Sequence, residues 1–113
     1  MTSAINLVQG DNRPFITLTL TDDAGGAIDL SDSTTVIRIY FRSVQSKEVL
    51  TIIPTTKVNG GSTGKVTFNF PGDTLEVKPG NYLGDVEIDF NGEVQTVYEP
   101  LQFNVREKFA TFV

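Results

Sequence analysis

The chain has 113 residues, 39% of them hydrophobic, with eight Phe, three Tyr and no Trp, enough for one domain that buries roughly two-thirds of its unfolded surface. A formal net charge of −5 and a pI near 4.5 oppose the basic footprint that a phosphate backbone demands, so no nucleic-acid partner is expected. With neither Cys nor His, disulfides, thiolate metal sites and cysteine nucleophiles are excluded, and the commonest general base and transition-metal ligand is missing.

The opening MTSAINLVQGDNRP lacks a Lys/Arg-rich start and has only a short apolar run, and no stretch approaches the roughly 18 apolar residues of a membrane span. Synthesis in a cytoplasm, with no membrane partner, is the expectation. Residues 5–8 predict a short first strand, ended by Gln9-Gly10-Asp11-Asn12 and by Pro14, whose missing N–H suits an edge or a corner. Residues 15–21 predict a strand with Ile16, Leu18 and Leu20 inward and Thr17 and Thr19 outward. Asp22-Asp23-Ala24-Gly25-Gly26 reads as a turn, and residues 27–30 as a short strand that caps one end of the core with Ile28 and Leu30.

Residues 34–43, apolar on both faces apart from Arg38 and Arg42, predict a central strand. Residues 49–53 predict a strand stopped by Pro54, residues 59–64 a flexible loop, and residues 65–70 a strand with Val66, Phe68 and Phe70 inward. Residues 74–78 cross an end of the fold. From Tyr82, alternate residues Gly84, Val86, Ile88 and Phe90 face the core, while Asp85, Glu87 and Asp89 face out. Asn91-Gly92 predicts a two-residue type I′ turn, since both residues tolerate positive φ. That turn sets Phe90 beside Glu93, Ile88 beside Gln95 and Val86 beside Val97, and the odd-numbered parity continues into Leu101, Phe103 and Val105 past Glu99-Pro100.

Short strands at intervals of about 8–12 residues, joined by Gly, Pro, Asn and Asp turns, predict an all-β, antiparallel, immunoglobulin-like sandwich of about seven to nine strands. It forms a single domain over residues 1–113, with 106–113 as a C-terminal tail.

Three surface features are candidates for function. Arg38, Tyr40 and Arg42 form one outward stripe and Asp85, Glu87 and Asp89 another; they either match each other across neighbouring strands or meet a second subunit, as opposite stripes in a ring would. Phe109 and Phe112, beyond the last expected strand, dock either on their own sandwich or on a partner subunit. Gly60-Gly61-Ser62-Thr63-Gly64-Lys65 is no phosphate-binding loop, because Asn59 and Val66 occupy the first Gly and the Ser/Thr positions and a strand follows where a helix is needed. Carboxylates on an open strand are poorly placed for acid–base work, which needs an apolar pocket to raise a pKa. No catalysis, metal or cofactor is therefore expected.

The run Val8-Gln9-Gly10-Asp11-Asn12-Arg13-Pro14-Phe15, with Leu18 and Leu20, Asp23-Ala24-Gly25-Gly26, Ile28-Asp29-Leu30-Ser31, Gly64-Lys65-Val66 and Pro79-Gly80-Asn81-Tyr82, resembles the N-terminal immunoglobulin-like module of tailed-phage baseplate upper proteins and related small virion proteins. The resemblance spans about residues 8–105. It implies a non-enzymatic structural role in a baseplate, tail, neck or capsid decoration, made in the host cytoplasm, located in the virion, and assembling as a homo-oligomer with other virion proteins. The helical extension of the baseplate proteins has no counterpart in these residues. A carbohydrate-binding module for host-surface glycans is the alternative, weakened by the absence of Trp for stacking on sugar rings.

Overall fold

Residues 80–90 alternate apolar and polar side chains, and this period of two builds the strand on which the fold is hung. In the computed structural model, which describes residues 4–22, 24–46, 48–97 and 99–108, Tyr82, Gly84, Val86 and Ile88 are buried while Leu83, Asp85, Glu87 and Asp89 lie half-exposed on the opposite face. Among the described residues nine strands form: β1 (Ile5–Val8), β2 (Ile16–Thr19), β3 (Thr35–Ser43), β4 (Thr51–Pro54), β5 (Thr56–Lys57), β6 (Lys65–Phe68), β7 (Gly80–Phe90), β8 (Glu93–Thr96) and β9 (Leu101–Arg106). Among the described residues no helix is long and apolar enough to cross a membrane.

The strands divide into a six-stranded sheet, in the order β1-β9-β7-β3-β4 with β8 also on β7, and a three-stranded sheet, β2-β6-β5. β7 is eleven residues long, so β3 covers one of its flanks while β9 and β8 share the other. Asn91 (φ 55°) and Gly92 (φ 102°) turn the chain and set Phe90 against Glu93 and Ile88 against Gln95, the expected register. Val97 N–H then donates to the Val86 carbonyl at 2.8 Å. Beyond Glu99-Pro100 the register has slipped by two residues, since Gly84 faces Leu101. An even slip leaves the odd-numbered side inward, so Leu101, Phe103 and Val105 are buried.

The two sheets pack face to face as a sandwich around one core. Phe103 of β9 is its hub: its ring lies 5.6 Å from Phe41 in its own sheet and 6.4 and 5.8 Å from Phe68 and Phe70 of the other side, the last two edge-on, the geometry that aromatic quadrupoles favour. Phe41 also stacks on Tyr82 at 5.1 Å. The chain passes between sheets at Pro54, which ends β4; Thr56 already pairs with Thr67 of β6. Thr55 pins this crossing by donating its hydroxyl to the Ile37 carbonyl at 2.9 Å.

Several expectations need correction. Residues 27–30 form no strand beyond a single bridge from Ala27 to Thr21. Leu30 is nonetheless fully buried, held by its N–H to the Gly61 carbonyl. The loop over residues 59–64 is tied to the core at two points, where the Gly61 and Gly64 carbonyls accept from Leu30 and Leu20 N–H groups at 2.9 and 2.7 Å, while Asn59, Gly60, Ser62 and Thr63 stay exposed. Phe15 lies outside β2 and is 68% exposed. The strand expected over residues 49–53 begins at Thr51 and includes Pro54, which an edge strand tolerates. β9 runs through Arg106, the first residue of the expected tail. Finally, β1 pairs with β9 in parallel, a long-range contact without a local signal.

Candidate functional site

β3 and β7 run antiparallel with Arg38 opposite Glu87 and Tyr40 opposite Asp85, so the two outward stripes become neighbours on one face. Arg38 Nη1 donates to Glu87 Oε1 at 3.2 Å and to Asp89 Oδ2 at 3.3 Å, Tyr40 donates its hydroxyl to Glu87 Oε1 at 3.0 Å, and Arg42 Nε reaches Asp85 Oδ2 at 3.5 Å. Asp89 has a second task, since its Oδ1 accepts from Gly92 N–H at 2.7 Å and ties the turn to the charge network.

The electrostatics follow from these bonds. The Gly92 N–H, and after it the Arg38 guanidinium, hold the Asp89 carboxyl below its usual range. The Asp89 hydrogen bond also raises Arg38, and the Glu87 carboxylate beside its hydroxyl raises Tyr40. The six residues thus satisfy one another within one chain. The structure thus shows the stripes matched to each other across neighbouring strands, the first of the two arrangements expected. Phe109 and Phe112 lie outside the described residues.

Chemically, this face is an open charge ladder. A surface depression of about 380 Å³ is lined by Ser43, Val44, Gln45, Lys78, Pro79, Gly80, Asn81 and Tyr82, and includes none of the three carboxylates. No group of three acidic side chains placed to hold a metal ion occurs among the described residues.

A different feature stands out beside the ladder. Val36, Val44, Val49, Leu50 and Ile52 are all 44–51% exposed, and all belong to the β3–β4 hairpin. Ile52 sits opposite Tyr40, at the outer margin of the ladder, and β4 is a terminal strand of its sheet. Sequence reasoning passes over this patch, because Val49-Leu50-Thr51-Ile52-Ile53 reads as an ordinary buried strand. The available signal is the Pro54 that follows, an edge-strand residue after a run apolar at both parities.

No protein-family model matches the chain, and no curated protein matches it.

Proposed function

We propose that this protein is a non-enzymatic structural component of a tailed-phage virion, an immunoglobulin-like sandwich that assembles through protein–protein contacts with copies of itself and with other virion proteins. The observation that carries the assembly reading is the β3–β4 hairpin, where five large aliphatic side chains are each about half-exposed and two of them, Leu50 and Ile52, lie on the free edge beside the ladder. Scattered single aliphatics on a surface need no explanation, whereas Leu50 and Ile52 are alternate exposed residues on one side of an edge strand, next to a polar rim, as at a contact surface. The ladder from Arg38 to Asp89 supplies such a rim. The virion assignment rests on the resemblance of residues 8–105, through the motifs quoted above, to the baseplate module. Its test is mass spectrometry of density-purified phage particles from the source of the sequence: peptides of this chain in the particle at fixed stoichiometry are expected, and their absence from intact particles refutes the assignment.

Glycan binding has one observation in its favour. Asn6, Asn104 and Asn81 stand side by side across β1, β9 and β7, a row of carboxamides able to donate to and accept from sugar hydroxyls. A glycan array with the purified protein decides this reading, since specific binding lost in Asn104→Ala supports it and a blank array removes it.

A further inference from the structure

The strongest unassigned feature is the free edge of β4. On one side β4 pairs with β3; on the other, no strand pairs with it among the described residues. Such edges are usually guarded by charge, by shortness, by proline or by a covering segment; β4 is four residues long and ends in Pro54, but it has no charge and no covering strand among the described residues. Residues 49–54 carry no charge, and Val49, Leu50 and Ile52 are exposed to about half of their area. An edge of this kind is a template for an added strand.

We propose that the β4 edge takes residues 109–113 of a second copy of this chain as that strand. The inference rests on the assembly reading above and gives it a mechanism. Phe109-Ala110-Thr111-Phe112-Val113 is uncharged like the edge, and its aromatic and β-branched residues suit a strand. Its own β4 is out of reach. β9 leads to these residues, and the position beyond β4 lies four strand spacings from β9, about 19 Å at about 4.8 Å each. For residues 109–113 to pair there, residue 109 would have to stand at that edge, yet the three residue steps from Arg106 to it span at most about 11 Å. Lys108, the residue before them, points the other way, its Nζ 3.4 Å from Asp11 Oδ1 in the loop after β1. The donor is therefore another copy. Each copy then has one donor segment and one acceptor edge, a head-to-tail contact that generates rings or open chains.

Complementation separates this from every other arrangement. One variant ends at Lys108 and keeps the β4 edge; the other keeps residues 109–113 and carries Ile52→Lys, with Leu50→Lys as a second edge variant. Each is checked for its fold by circular dichroism. By light scattering at high protein concentration, the full chain is expected to self-associate, each variant alone to remain at the 12.4 kDa of a monomer or below, and their equimolar mixture to form a two-chain complex. In ¹⁵N-labelled truncated protein, the shifts caused by the edge variant are expected to concentrate in residues 49–54. A full chain that associates while the mixture stays monomeric overturns the strand-donation proposal and leaves the assembly reading standing. Association that survives truncation points to edge-to-edge pairing of two β4 strands and overturns it equally. A full chain that stays monomeric overturns the strand-donation proposal, and its absence from particles removes the assembly reading as well.

Discussion

Gly84 of β7 lies beneath the ring of Phe103: a Cβ at Gly84 would stand 2.8 Å from Phe103 Cε2 and 2.9 Å from Ile39 Cγ2. Both neighbours are buried in the core, and Phe103 is the ring that joins the two sheets. Gly84→Ala should overpack this point at a cost of about 1–3 kcal/mol, against the ~0.4–1 kcal/mol that an alanine gains by restricting the unfolded chain. Urea denaturation is expected to show a net loss of stability. A gain would mean that the Phe103 ring can shift aside.

At the other end of β7, Gly92 has open space around its Cα but a φ of 102°. Gly92→Val therefore probes backbone conformation alone, and should cost on the order of 1–2 kcal/mol, because a β-branched residue resists positive φ. An unchanged melting temperature would show that the turn can reform without it.

These two glycines also mark what is legible in the sequence. Asn91-Gly92 and the alternation on both sides of it specify the hairpin register, and parity alone places Arg38, Tyr40, Arg42, Asp85, Glu87 and Asp89 on an outer face. Periodicity reports which way a side chain points, not which strand lies beside it. The pairing of the two stripes, the parallel β1–β9 contact and the passage from one sheet to the other at Pro54 are set by long-range packing, so none is visible locally. The loop over residues 59–64 hides a contact for a related reason: its glycines read only as turn residues, but two of them bring carbonyls close to Leu20 and Leu30. The exposed hairpin is missed because an apolar strand looks the same at a sheet edge as at its centre.

The paired stripes make a prediction of their own. Glu87→Arg places like charges opposite each other at Arg38 and removes the acceptor of the Tyr40 hydroxyl, so the melting temperature should fall. Adding Arg38→Glu restores opposite charges and should recover part of the loss. Independent effects of the two substitutions would mean that the ladder contributes no coupling.

Asp89 should give the sandwich an acid-sensitive component. Its pKa is lowered by folding, so its contribution is fully present above the unfolded carboxylate value of about 3.9 and is lost as pH falls through the lower folded value. Asp89→Asn is expected to melt below the parent at pH 7, with the gap closing toward strongly acidic pH. A carboxyl titration followed by NMR should place the Asp89 midpoint below the ordinary Asp range. A midpoint well above it would reopen acid–base chemistry on this face.

The claim that the β3–β4 hairpin is a protein contact surface is tested most directly by cryo-electron microscopy of the particle that carries this chain. The expected density shows the sandwich in repeated copies, with Val36, Val44, Val49, Leu50 and Ile52 covered by a neighbouring polypeptide. Density in which the hairpin faces solvent while another face makes the contacts would contradict the account.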